Sequence, residues 1–165
     1  MKRVSVLLGL LASFVIAPVM PADEEEKKPE PVKWSVASAP KQVRAGQVFR
    51  VTLLARVAEG WHLYSMEKKE GGPVPTTITV PGPQWFRLAG AVEPPVGITS
   101  FDDGFDMEVE TYLGEAEFIV PIEALRDVKP GDLTLKIAAR YQVCDNRECL
   151  PPKTVELETP IRIVP

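Results

Sequence analysis

Apolar and polar side chains alternate over two long stretches of the chain, and this period of two constrains the fold more than any other feature. In residues 47–58 one face carries Phe49, Val51, Leu53, Ala55 and Val57. In residues 132–143 one face carries Leu133, Leu135, Ile137, Ala139, Tyr141 and Val143. Because successive side chains of a strand point to opposite faces, each stretch predicts a strand with one buried face.

Prolines and turn residues divide the rest of the chain into short extended segments. The sequence contains 17 prolines, which leave little room for helices. Further candidate strands are residues 34–37, 62–66, 76–80, 85–89, 108–113, 115–122, 154–157 and 161–164. This pattern predicts an all-β fold, an immunoglobulin-like antiparallel β-sandwich. The bridge between distant strands that antibody domains carry is excluded, since the two cysteines lie five positions apart.

The amino-terminal residues have the features of an export signal. Residues 1–3 are a short basic start, residues 4–16 are apolar, and residues 17–22 are small and contain proline. We predict a signal peptide over residues 1–22 and a periplasmic or otherwise exported product, with uncleaved retention as an alternative. Residues 23–33 are charged and predict a flexible linker, so the domain is expected at residues 34–165. No membrane span is expected beyond the signal segment.

The charge balance limits the classes of partner. Removal of residues 1–22 takes away Lys2 and Arg3, which changes the formal net charge from −4 to −6. A mildly acidic chain argues against nucleic-acid binding. Two cysteines and one histidine fall short of the four ligands of a usual zinc site, so no metal and no other cofactor is expected.

Both cysteines lie in one predicted hairpin. The four residues Asp145-Asn146-Arg147-Glu148 form a plausible loop between Cys144 and Cys149. Opposed residues on antiparallel strands have Cα atoms about 4.5–5.5 Å apart, a distance that a disulfide can bridge. Val143 belongs to the inward set of its strand, so Cys144 is expected on the outward face, with its sulfur at the surface.

The residues alone leave two interpretations of this pair open. A disulfide that closes a loop of about six residues stabilises a fold by only roughly 2 kcal/mol in the chain-entropy model, which is little for a structural staple. Exposed disulfides are more often the exchange-competent ones. A redox module and a non-catalytic binding or assembly module with a structural disulfide therefore both remain possible.

Three segments carry a resemblance to a known family. The hairpin "YQVCDNRECLPPKTVEL" resembles the redox hairpin of the amino-terminal periplasmic domain of DsbD, the thiol:disulfide interchange protein. The segment "GWHLYSM" is similar to the aromatic segment beside the cysteines of that family. The segment "FDDGFDMEVETYLGEAEFIVPI" is similar to its cap loop and the strand hairpin that follows. The similarity extends over roughly residues 32–164.

The resemblance implies an immunoglobulin-like domain with a redox hairpin and a cap loop. It implies a thiol:disulfide oxidoreductase of the protein-disulfide reductase type, which passes reducing equivalents to or from partner proteins. The expected partners are thioredoxin-like domains or a membrane reductant. The implied site comprises the redox pair Cys144 and Cys149, the cap aromatic Phe105, the nearby acid Asp103, and the lining residues His62 and Tyr64.

Overall fold

The computed structural model describes residues 30–165, and it is built of strands without a helix in that range. The predicted signal peptide and residues 23–29 lie outside the described residues. The twelve strands are β1 (Val32–Ser38), β2 (Gln42–Arg44), β3 (Val48–Val57), β4 (His62–Tyr64), β5 (Thr77–Thr79), β6 (Phe86–Leu88), β7 (Ile98–Asp102), β8 (Met107–Tyr112), β9 (Glu115–Ala124), β10 (Gly131–Tyr141), β11 (Val143–Cys144) and β12 (Lys153–Val164).

These strands form three four-stranded sheets. The first has the order β1-β3-β9-β6, the second β2-β12-β10-β5, and the third β11-β4-β8-β7. Neighbouring strands are antiparallel except for β2 and β12, which pair in parallel at residues 42–44 and 162–164. The all-β, largely antiparallel architecture confirms the predicted fold class.

The two long alternating stretches supply much of the core. In β3 the predicted inward set is buried, and in β10 all of it is buried except Leu133. Buried side chains from all three sheets contribute to one main cluster, which includes Leu53 of β3, Ile137 of β10 and Leu63 of β4. At about 25 cal/mol per Å² of apolar surface removed from water, burial of this kind is the main stabilising contribution.

Several strand boundaries differ from the predicted ones. Strand β1 begins at Val32, inside the predicted linker, because Val32 is buried and pairs with Val57. Residues 154–157 and 161–164 belong to the single strand β12. The strand continues through Pro160 because β12 pairs there on one side only, with β10, so the missing backbone donor is tolerated. The short strands β2 and β7 were not predicted.

The third sheet presents two different faces. Val143, Leu63 and Tyr112 point into the main core. By the alternation of side chains, the opposite face carries Cys144, His62 and other residues at alternating positions. This second face holds the candidate site.

Candidate redox site

The cysteine hairpin begins where the chain leaves the second sheet. Strand β10 ends at Tyr141, and the chain then pairs with β4, where Cys144 lies opposite His62. On the returning segment the Leu150 N–H donates to the Val143 carbonyl at 3.0 Å. Cys144 and Cys149 face each other across this antiparallel pairing and form a disulfide, with Cα atoms 4.1 Å apart. The predicted hairpin is confirmed.

The loop between the cysteines is closed by its first residue. Asp145 Oδ1 accepts hydrogen bonds from the N–H groups of Arg147, at 2.7 Å, and Glu148, at 2.8 Å. The N–H of Asp145 in turn donates to the Glu148 carbonyl at 2.9 Å. The hydrogen bonds from the two N–H groups are the main reason that the pKa of Asp145 lies below its ordinary value. The loop therefore holds Cys149 in a defined position.

The two cysteines differ sharply in accessibility. Cys149 is exposed, whereas Cys144 is only 1% exposed, so the prediction of a surface position for its sulfur is wrong. The alternation placed Cys144 correctly on the face opposite Val143. That face is covered, however, because Tyr64 and Val109 enclose Cys144 in a small apolar cluster.

A loop between β7 and β8 also covers the cluster around Cys144. This cap loop, residues 103–106, connects β7 to β8, and Phe105 packs against the cluster around Cys144. The ring of Phe105 meets that of Tyr64 edge to face, with centroids 5.8 Å apart. Asp102 Oδ1 holds the start of the loop by accepting the N–H groups of Gly104, at 2.8 Å, and Phe105, at 3.2 Å.

The hydroxyl of Tyr64 is the polar centre of the site. It lies 2.7 Å from Asp102 Oδ2, 3.2 Å from Cys144 Sγ and 3.3 Å from His62 Nε2. A phenol has one proton, and the shortest contact assigns it to the carboxylate. Burial, followed by the hydrogen bond to Asp102 and the carboxylate charge, raises the pKa of Tyr64 well above its ordinary value. The hydroxyl therefore remains protonated at physiological pH.

His62 completes this chain of contacts. Burial lowers the pKa of His62 below its ordinary value of 6.5, although the charges of Asp102 and Asp145 oppose the shift. The imidazole is therefore neutral at pH 7, so its 4.0 Å approach to Asp102 Oδ2 is not an ion pair under those conditions. Because Tyr64 donates to Asp102, its oxygen can accept a hydrogen bond from the His62 tautomer that carries its proton on Nε2.

Asp103, the acid expected from the resemblance, forms no hydrogen bond with Tyr64. Its side chain is exposed and lines the cavity beside the disulfide. The carboxylate that contacts Tyr64 is Asp102, one residue earlier. The order Asp-x-Gly at residues 102–104 was a usable signal, because aspartate commonly accepts the N–H of the residue two positions on.

The hairpin and the cap loop enclose a cavity of about 380 Å³. The lining residues Asp102, Asp103, Asp145 and Glu148 carry four carboxyl groups, against one guanidinium on Arg147. Cys149 and Cys144 both border this cavity. A thiol that enters it reaches the disulfide through a predominantly acidic opening.

Within residues 30–165, no three or more His, Cys, Asp and Glu side chains are grouped so as to hold a metal ion. Over the same range, none of the structure has the length and apolar character of a membrane-crossing helix.

The fold and the site together define an immunoglobulin-like β-sandwich domain with a cysteine pair in a capped hairpin. The chain belongs to the family described as "Thiol:disulfide interchange protein DsbD, N-terminal", whose model matches residues 28–160. The predicted resemblance is thereby confirmed, and with it a module of thiol:disulfide interchange.

One solved structure agrees with this assignment at the level of the fold. The DsbD amino-terminal domain of Neisseria meningitidis, crystallised in the reduced form, is 19% identical, with a TM-score of 0.50. The match covers 78% of this chain and 82% of that one. A family 123 glycoside hydrolase from Clostridium perfringens matches at 7% identity and a TM-score of 0.39, over 81% of this chain and 27% of that one, which is too distant to inform function. No curated protein matches the sequence.

Proposed function

We propose that this domain is an exported thiol:disulfide oxidoreductase that passes reducing equivalents through Cys144 and Cys149. The observation that carries the proposal is the asymmetry of the disulfide. Cys149 is exposed, whereas Cys144 is buried in the cluster against which Phe105 packs. An exchange centre needs one sulfur that a partner can reach and one that resolves the mixed disulfide.

The exchange proceeds in two balanced steps. A partner thiolate attacks Cys149 Sγ, the bond between the cysteines breaks, and Cys144 leaves as a thiolate. The second thiol of the partner then attacks the mixed disulfide as a thiolate and forms the partner's own disulfide, and Cys149 is released. Two electrons and two protons pass to the domain in total. In the opposite direction Cys149 attacks a substrate disulfide and Cys144 resolves the product.

Tyr64 is positioned to act on the buried sulfur. Its hydroxyl lies 3.2 Å from Cys144 Sγ and stays protonated because of its raised pKa. A donor in this place stabilises the Cys144 thiolate as the disulfide opens. The carboxylate of Asp102 competes for the same proton and repels the negative charge, so the two groups have opposite effects on the stability of the Cys144 thiolate.

Phe105 is proposed as the cap of the buried sulfur. It packs against the cluster that contains Cys144, and its backbone is held by Asp102. While the cap loop is closed, small thiols reach Cys149 and not Cys144. His62 and Tyr64 line the same cavity and keep the cap side of the sheet packed.

A purely structural role for the disulfide is less well supported. The main core cluster contains neither cysteine, and Cys144 belongs to a separate small cluster with Tyr64 and Val109. The bridge closes a loop of five sequence positions, for which the chain-entropy model gives roughly 2 kcal/mol. The sandwich therefore has its own source of stability.

The proposed partners and compartment follow from the family. A thioredoxin-like domain or a membrane reductant supplies two thiols of suitable geometry, and partner disulfides outside the cytoplasm receive the electrons. Asp103 and the other carboxylates at the opening contribute to the choice of partner through their charge.

Single cysteine variants test the proposal. The Cys144→Ala variant leaves the exposed Cys149 and is expected to form a mixed disulfide rapidly with an aromatic disulfide reagent, detected by mass spectrometry. The matched variant Cys149→Ala leaves the buried Cys144 and is expected to react at least about tenfold more slowly, since access requires displacement of the cap. Equal rates, or faster reaction of Cys144, would contradict the proposed roles.

A further inference from the structure

The outer strand of the third sheet is exposed on both faces. Strand β7 lies at the end of the order β11-β4-β8-β7, and its residues from Ile98 to Phe101 are all exposed. Ile98 is 53% and Phe101 58% exposed, and Val96, just before the strand, is 99% exposed. Exposed apolar residues of this size on an edge strand are a feature of surfaces that bind another chain.

The pairing of β8 shows which backbone groups face β7. The N–H of Ser65, directly after β4, donates to the Glu110 carbonyl at 2.9 Å, so the backbone groups of Glu110 point toward β4. Backbone groups of successive residues in a strand point to opposite sides. Those of Val109 and Thr111 therefore point toward β7.

The same reasoning identifies the open groups of β7. Ser100 lies opposite Val109, and Ile98 lies opposite Thr111. The backbone groups of Ser100 and Ile98 therefore pair with β8. The N–H and C=O groups of Thr99 and Phe101 then point away from β8. They form a row of donors and acceptors that none of the described strands pairs.

This edge lacks the usual protections against pairing. Residues 98–102 contain no lysine, arginine or proline, and the register with β8 is continuous. Natural edge strands are commonly blocked by such residues or by a bulge. The only charge on the strand is Asp102, which is engaged with Tyr64.

The open edge of β7 borders the cavity that contains the disulfide. Ser100 and Phe101 line the same cavity as Cys149, together with Glu148 and Asp103. Strands β7 and β11 lie at opposite ends of the sheet, so a strand added along β7 would lie beside this cavity and its carboxylates, and a cysteine at its end would reach Cys149 across the cavity.

We propose that the edge of β7 binds an extended segment of the exchange partner by strand addition and thereby delivers the partner's cysteine to Cys149. The inference rests on the proposed function. The chemistry of the surface specifies the segment: β-branched side chains on both of its faces, to contact Ile98 on one face and Phe101 on the other, and a basic residue beside its cysteine to meet the acidic opening.

Synthetic peptides test this directly on the reduced domain. One peptide alternates valine and threonine, carries an arginine next to a terminal cysteine, and has that cysteine activated as a 2-pyridyl disulfide. It is made with the cysteine at either end, since strand addition can be parallel or antiparallel. Cys149 displaces pyridine-2-thione to form the peptide mixed disulfide, and Cys144 then releases the reduced peptide. The matched control has the same side chains with N-methylated backbone amides, which cannot donate to the edge.

For one peptide orientation, we expect the unmodified peptide to react at least about tenfold faster than its N-methylated control, because docking raises the effective concentration of its cysteine. The Thr99→Pro variant lacks one outward N–H, so the ratio of the two peptide rates should fall toward one. Thermal unfolding checks that this variant is folded. The comparison on the unaltered domain does not depend on the variant.

Three outcomes would overturn the inference. Equal rates for the two peptides, with normal reaction of a small 2-pyridyl disulfide, would refute strand addition and leave the proposed function intact. Failure of every disulfide to react would refute both. A concentration-dependent dimer in sedimentation experiments that Thr99→Pro abolishes would assign the edge to a second copy of the chain instead.

Discussion

Replacing Phe105 by alanine should open access to Cys144 while leaving access to Cys149 unchanged. Phe105 is half-buried over the cluster that contains Cys144. Full burial of a phenylalanine side chain stabilises by about 1.5–3 kcal/mol, so the partly buried ring of Phe105 is worth about 1–1.5 kcal/mol. Loss of most of that free energy raises the population of the open cap loop by about five- to tenfold.

The assay is alkylation by iodoacetamide, followed by mass spectrometry, in single-cysteine backgrounds. In Cys149→Ala, the additional change Phe105→Ala is expected to accelerate alkylation of Cys144 about five- to tenfold. In Cys144→Ala the same change should alter the rate at the exposed Cys149 by less than about twofold. The thiolate fraction is measured separately by ultraviolet absorbance, so that a pKa change is not mistaken for access. An unchanged Cys144 rate, or equal acceleration of both cysteines, would refute the cap.

Further predictions concern the polar residues of the site. Because burial lowers the pKa of His62, the folded domain binds fewer protons than the unfolded chain, so the free energy of unfolding should fall as pH decreases from about 6.5 toward that lowered pKa. Urea denaturation of His62→Asn should lack this dependence; an unaltered pH profile would contradict the assignment. Asp102→Ala removes the acceptor of Tyr64 and of the cap-loop amides, and should lower the free energy of unfolding by about 1–3 kcal/mol. Replacement of its exposed neighbour, Asp103→Ala, should change the free energy of unfolding by less than about 0.5 kcal/mol. If both variants lost the same free energy of unfolding, the proposed importance of the Asp102 contacts would be wrong.

The sequence predicted the parts of the fold in which one face of a strand is buried. Strands β3 and β10 alternate strictly, so their inward residues could be named before the structure was known. Strand β7 was missed because both of its faces are exposed, and no apolar period remains to detect. Residues 154–157 and 161–164 form one strand because the backbone donor that Pro160 lacks matters less where a strand is paired on one side.

The candidate site was predictable in its residue types but not in its accessibility. Loop length and strand pairing indicated that Cys144 and Cys149 could form a disulfide in a hairpin, and the structure has that bond. His62, Tyr64 and Phe105 were expected from the family resemblance, and the structure brings them to the hairpin. The burial of Cys144 depends on a loop about forty positions away in the sequence, which local alternation cannot report. The choice of Asp102 over Asp103 for the contact with Tyr64 likewise depends on how β7 ends.

The reduction potential of the Cys144–Cys149 pair tests the central claim most directly. It is obtained by equilibrating the domain in thiol redox buffers of known potential, trapping the thiols with an alkylating reagent, and quantifying the two forms by mass spectrometry. An exchange module is expected to have a potential above about −300 mV, within reach of thiol partners. A potential below that value would identify a structural disulfide and contradict the proposed function.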